Sequence, residues 1–319
     1  MKYNYVIFGS STDFIKIAFS DLIGLENVKY KDKRIETENG FLLNLYRFHN
    51  SSKTNLIPLP FKGIWKKYAY KDTFDDDKPI CFIFFGGNEW CKKDYFAYLR
   101  KKYPYCKIVI YCQDIIDKSK NKNLKDSLSF CDLKLSYDKG DAQKYGMILY
   151  QDVYSKVEID TEGVNEEYDV CLIIKAKDRL KKAIDLYDKL ESFGLKCYFY
   201  LTDVEKEDRI ERKNVYYGKK LPYTENLKRV MKSKVIAEIL QGGSKGYTFR
   251  AGEAIVYGKK LLTDNKSVKE EPFYSPDKIF VFDKPEDIKK EFFDGKSVDY
   301  NYTEQISPKK LLEFIDEKL

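Results

Sequence analysis

The chain has 319 residues, 43% hydrophobic and 16% aromatic, enough for about two domains with real cores, which excludes a disordered protein. Its 58 Lys and Arg stand against 51 Asp and Glu, a net charge of +7 with the two signs interspersed; that dilution, with no stripe of lysine and aromatics, argues against a nucleic-acid partner. The excess suits smaller anionic partners such as a sugar nucleotide, or an acidic membrane surface.

In chain order, the first element is a strand in "MKYNYVIFGSS". Its apolar run, 5–9, is too short and too aromatic for a secretion signal. His49, the lone histidine, lies in "LYRFHN" and reads as a structural residue near an antiparallel edge. "FDDDKP" (74–79) is a polar turn before a strand, so its three aspartates are not read as a metal motif. "ICFIFFGG" (80–87) and "KIVIYC" (107–112) are buried strands. The polar, acidic segment 154–169 is a linker. After it come a strand at 168–174, an amphipathic helix in "DRLKKAIDLYDKLESFG" (178–194), and strands at 196–201 and 234–240. A glycine loop, "QGGSKG" (241–246), leads into a helix that starts near Tyr247 and Thr248 and ends at Tyr257, with Gly258 as its cap. Strands at 259–263 and 278–282 follow. The C-terminal "SPKKLLEFIDEKL" is an amphipathic helix able to pack on either domain.

Apolar strands alternating with helices predict an α/β fold of parallel sheets covered on both faces. The expected units are an N-terminal Rossmann-like domain over 1–155, a second over 165–300, and a C-terminal helix over 301–319. No run approaches the roughly 18 apolar residues of a membrane span. The seven cysteines form no CxxC pair, which suits reduced thiols in a cytoplasmic protein with no zinc site.

Three places can carry chemistry. The helix after the glycine loop offers free N–H groups and a positive dipole end, a seat for phosphate near Gly246 and Tyr247. Thr248 can cap that helix or bond a phosphate oxygen, Arg250 adds a forked cation, and Glu253 shares its face and can accept ribose hydroxyls. Second, Lys175, Lys177 and Arg179 follow the strand at 168–174, at the carboxyl end where open α/β sheets bind ligands. Third, strand ends in the first domain place Asp13, Glu89 and Asp114 on the rim of the expected cleft. Asp13 is the candidate general base.

The segment 233–282 resembles GT-B-type glycosyltransferases of bacterial lipopolysaccharide and capsular polysaccharide clusters. The likeness runs through Glu238, then Gly246, Thr248, Arg250 and Glu253, then Gly258, Lys259, Lys260, Leu261 and Thr263, then Phe273, Tyr274 and Pro276. "SYDKGDAQKYGM" (136–147) and "YDVCLIIKAKDRL" (168–180) extend it upstream. Departures fall at Ile174, where the family carries glycine, and at Cys112 and Gln113, where it carries a Trp-Asn-like pair. The resemblance implies a GT-B architecture, two Rossmann-like domains with parallel sheets facing across a cleft. It implies a UDP- or GDP-linked sugar donor bound by the second domain, no separate cofactor or metal, and a glycan or lipid-linked acceptor. Arg250 and Asp13 would serve catalysis, and Lys175, Lys177, Arg179, Gly246, Tyr247, Thr248, Arg250 and Glu253 would hold the donor. The alternative is a catalytically inactive relative that binds a glycan or a partner protein.

Overall fold

The computed structural model describes residues 1–51, 53–54, 57, 59–159, 166–241, 248–295 and 298–319. The first half runs β1 (Asn4–Phe8), α1 (Asp13–Ala18), β2 (Val28–Lys31), α2 (Gly40–His49), α3 (Trp65–Ala69), β3 (Ile80–Phe85), α4 (Lys93–Lys102), β4 (Lys107–Cys112), α5 (Leu124–Ser127), β5 (Leu133–Ser136), α6 (Lys139–Tyr145) and β6 (Ile148–Leu149). The second runs β7 (Tyr168–Lys175), α7 (Leu180–Ser192), β8 (Cys197–Thr202), β9 (Val215–Gly218), α8 (Tyr223–Met231), β10 (Ser233–Glu238), α9 (Phe249–Tyr257), β11 (Lys260–Thr263), β12 (Ile279–Val281) and α10 (Pro308–Lys318).

The strands form two six-stranded sheets, ordered β2-β1-β3-β4-β5-β6 and β9-β8-β7-β10-β11-β12. The pairings recorded within them are parallel throughout. The second order is the doubly wound 3-2-1-4-5-6, and the first follows the flavodoxin-like 2-1-3-4-5. Each therefore reverses direction once, between β1 and β3 and between β7 and β10. Ligand crevices in such sheets open at the carboxyl side of that reversal. The expected architecture is present: α/β, two Rossmann-like domains whose parallel sheets face across a cleft, the GT-B arrangement.

Two tight places in the chain have evident causes. The Tyr30 ring lies over the end of β1, where a Cβ at Gly9 would overlap its hydroxyl. Gly258 ends α9 at φ +61°, as a C-terminal glycine should. The two lobes are not independent. One apolar cluster runs from Tyr5 and Phe19 of the first domain through Tyr154 to Leu227, Ala254, Leu311 and Ile315. Helix α10 crosses back to the first domain, where the Tyr5 hydroxyl donates to the Leu312 carbonyl (3.2 Å) and the Lys2 amide donates to Asp316 (3.0 Å).

One expectation is corrected. His49 is not near an antiparallel edge; it is the last residue of α2. Its Nδ1 accepts from the buried Trp65 indole at 2.9 Å. Asn39 caps that helix, and Leu42, Tyr46 and His49 recur along one face, a helical period taken for an edge.

Candidate functional site

The cleft holds a cavity of about 670 Å³ lined from both domains. On the C-terminal side its wall is the β7–β10 reversal. Arg179 bridges that point: its guanidinium donates to the Ile239 carbonyl (2.6 Å) and the Lys175 carbonyl (2.5 Å). Burial presses its charge below its usual range, against the pull of Asp178, Asp264 and Glu238. Its Nε is buried with no partner among the described residues. Lys175 lines the same wall, with Asp203 3.7 Å away. Lys177 does not join them: it is exposed, at φ +38°, and lies outside the cavity lining.

Helix α9 enters beside that wall. Its N-cap residue, Thr248, makes no side-chain cap. Its hydroxyl goes instead to Glu238, whose other oxygen accepts from Thr263 at 2.6 Å. Glu238 is buried, and desolvation raises its carboxyl above the ordinary range although both hydroxyls work against this. Gly246 and Tyr247 lie outside the described residues, as does most of the glycine loop. The α9 residues that can be placed put Thr248, Phe249 and Arg250 on the cavity wall, with the helix's amino end toward the space.

Arg250 and Glu253 do stand one turn apart on one face, but they hold each other. Arg250 pairs with the Glu253 carboxylate and donates to the Ile173 carbonyl at 3.0 Å. The other Glu253 oxygen accepts from the Tyr223 hydroxyl, which lies 2.8 Å from that of Tyr154. Glu253 is 1% exposed. Burial works against the Arg250 charge, but the carboxylate more than offsets it and lifts the guanidinium above its usual range. Arg250 keeps an edge on the cleft, while Glu253 faces a smaller space of about 210 Å³ beside it. Asn226 also lines that space and keeps a buried carbonyl oxygen without a partner among the described residues.

On the N-terminal side, a cavity of about 460 Å³ opens at the β1–β3 reversal, lined by Ser10, Thr12, Asn88, Glu89 and Asp114 among others. Asp13 starts α1 but is absent from that lining. It accepts from the Tyr223 amide at 2.6 Å and pairs with Lys220 at 3.3 Å, so it ties the two domains together. Burial alone would raise its carboxyl; the Tyr223 amide and the Lys220 ammonium outweigh this and hold it below the ordinary range. Glu89 faces Arg34 at 3.5 Å.

Asp114 differs from both. It follows β4, lines both large cavities, and makes no recorded hydrogen bond or ion pair among the described residues. Its side chain touches water, yet the surrounding protein raises its carboxyl above the ordinary range. Lys118, Ser119 and Lys120 continue from it along the cleft. Phe249 reaches across to Phe14, ring centroids 5.1 Å apart and nearly perpendicular, and floors all three spaces. The run "QDIIDKSK" after a strand was the sequence signal for this group.

No family model matches the chain, and no curated protein matches it in sequence. Among solved structures, sucrose-phosphate synthase from Thermosynechococcus elongatus superposes with a TM-score of 0.48 at 9% identity, covering 99% of this chain and 90% of that one. The glycotransferase of kitacinnamycin gives 0.47 at 8% identity over 100% of both chains. UDP-N-acetylglucosamine 2-epimerase from Rickettsia bellii gives 0.47 at 13%, covering 98% of this chain and 95% of that one. Likenesses this loose carry no functional argument; the chain's own geometry does.

Proposed function

We propose that the chain is a glycosyltransferase that moves a sugar from a nucleoside-diphosphate donor to a hydroxyl of a surface-glycan acceptor, in capsule, lipopolysaccharide or glycoprotein. One observation carries the reading: the cleft sets Arg179, Lys175, Arg250 and the amino end of α9 on one wall and Asp114, without a partner among the described residues, on the other. The first wall suits a diphosphate, which needs cations and free N–H groups. The space beside it, with the Asn226 oxygen and apolar walls, suits a nucleobase or the sugar.

In the proposed reaction an acceptor hydroxyl oxygen attacks the anomeric carbon. The bond from that carbon to the diphosphate oxygen breaks, and the hydroxyl proton passes to the Asp114 carboxylate. Negative charge grows on the departing diphosphate, where the α9 N–H groups, Arg250, Arg179 and Lys175 stabilise it. Those cations would serve in place of a metal. This reassigns the base from Asp13, whose carboxylate is spent on Tyr223 and Lys220, to Asp114, whose raised affinity for protons suits the role. The seven cysteines are free thiols, which suits work in the cytoplasm.

A second reading keeps the fold and drops the chemistry: an inactive relative that binds a glycan or a partner protein. Both Glu253 oxygens are engaged inside the protein, and Ile174 lines the cleft where the family carries glycine. Isothermal titration with UDP-, GDP- and dTDP-sugars, followed by a donor-hydrolysis assay, separates the two. The glycosyltransferase binds one donor class and slowly hydrolyses it without acceptor. An inactive relative does neither.

A further inference from the structure

From Asn39 to Lys71 the chain carries no Asp or Glu, although at its own acid frequency about five would fall there. The same stretch carries Arg47, Lys53, Lys62, Lys66, Lys67 and Lys71. It also concentrates protruding apolar side chains. Phe41 is 73% exposed, Phe48 55% and Phe61 81%, with Ile57 and Ile64 also exposed. Phe41 and Phe48 are seven residues apart on α2 and so share a face. Asn44 and Arg47 lie exposed beside them.

Hydrogen bonds tie the end of α2 to the segment that follows it. The Lys62 ammonium donates to the carbonyls of Thr54 (2.8 Å) and Ile57 (2.6 Å), and the Ser51 amide donates to the Phe48 carbonyl (3.4 Å). The buried Trp65–His49 hydrogen bond then fixes the 62–64 turn against the end of α2. Phe61 is held at φ +62°, a conformation a bulky residue adopts only at a cost, yet its ring points at solvent. Core packing does not explain that expense.

Lys66 pairs with Asp94 of α4 at 2.9 Å, but the stretch itself supplies no carboxylate, and exposed phenylalanines beside Arg47, Lys53 and Lys67 match the chemistry of a bilayer interface: rings enter the acyl boundary and cations meet phosphate head groups. Among the described residues no helix is long and apolar enough to cross a membrane, so attachment would be from one side. We infer that this face of the first domain docks on an anionic lipid bilayer. The inference does not depend on glycosyl transfer, because partition onto vesicles is read without substrate.

The test is co-sedimentation of the full chain with vesicles of phosphatidylglycerol and phosphatidylcholine, and of phosphatidylcholine alone. The intact chain partitions onto the anionic vesicles, and partition falls at least tenfold when salt rises from about 0.05 to about 0.5 M. F48S/F61S and K53E/K67E each lose roughly tenfold, while thermal unfolding shows both folded as the parent is. Equal partition onto neutral vesicles, no partition at low salt, or unchanged partition of both folded variants overturns the inference. So does loss of binding on adding soluble glycerophosphoglycerol, which would mark a head-group pocket in place of a bilayer. A face that ignores vesicles altogether would belong to a protein partner instead.

Discussion

The Thr248 hydroxyl donates to Glu238, so α9 begins without its side-chain cap and its amino end stays open toward the cleft. A capping threonine would satisfy one of the helix's orphan N–H groups itself. Here a buried acid draws the hydroxyl away and leaves that group for a ligand. Glu238→Ala removes the acceptor of two hydroxyls and should cost about 2–3 kcal/mol, seen in denaturant unfolding. Thr248→Ala should cost less stability, about 1 kcal/mol, and weaken nucleoside-diphosphate binding severalfold by titration. Unaltered binding would show that the cap position is away from the ligand.

Arg250 and Glu253 form a buried pair, so single changes there confuse stability with binding. Arg250→Ala leaves a buried carboxylate with Tyr223 as its one remaining partner among the described residues and should destabilise by about 3–5 kcal/mol. The double variant Arg250→Met/Glu253→Leu removes both charges and should recover most of that stability. It should still bind nucleoside diphosphate at least tenfold more weakly than the parent. Recovery of both stability and affinity would reduce the pair to a structural one.

The apolar strands were legible because a strand buried on both faces reads as a continuous hydrophobic run; "ICFIFF" and "KIVIYC" are β3 and β4 almost to the residue. Of the four strands missed, β5 with "LKLS" is internal but only four residues long, and β2 with "VKYK", β6 with "IL" and β9 with "VYYG" lie at sheet edges. There one side meets water, and short polar sequences pair by their backbone alone. The basic wall of the site was also legible, because Arg179 and Arg250 follow strands that end at the cleft. The fate of Glu253 was not. Its carboxylate is taken up by Tyr223, thirty residues earlier, and no local pattern brings the two together. Asp13 and Asp114 look alike in sequence, each acidic just after a strand. Only the packing of the second domain gives Asp13 a backbone amide and a lysine, while Asp114 has no partner among the described residues.

Asp114→Asn should lower turnover by roughly 10²–10⁴-fold with donor affinity little changed. The working form of a base is deprotonated, so activity must fall as pH drops through its pKa. Desolvation by the surrounding cleft walls raises that pKa, so the acid limb of kcat should lie above the roughly 3.9 of an ordinary aspartate and vanish in the variant. An acid limb retained in Asp114→Asn assigns the base elsewhere.

Asp13 should behave as a clamp. Asp13→Ala loses the Tyr223 and Lys220 contacts and should lower stability by about 1 kcal/mol near neutral pH, a modest figure because the carboxylate is partly exposed. Its folded pKa is lowered, so this stabilisation is present above the unfolded value and lost as pH falls through the folded one. Thermal unfolding of parent and variant should therefore differ at neutral pH and converge in strong acid. A gap that persists unchanged into acid would contradict an ionised Asp13.

The most direct test is calorimetric titration of the intact chain with UDP, GDP and dTDP, repeated on Arg179→Ala. The parent is expected to bind one of these at one site per chain, with a Kd on the order of micromolar, and Arg179→Ala at least tenfold more weakly. No heat from any nucleotide up to about 1 mM, or equal affinity in the variant, would mean that the wall between β7 and α9 is not where a diphosphate rests.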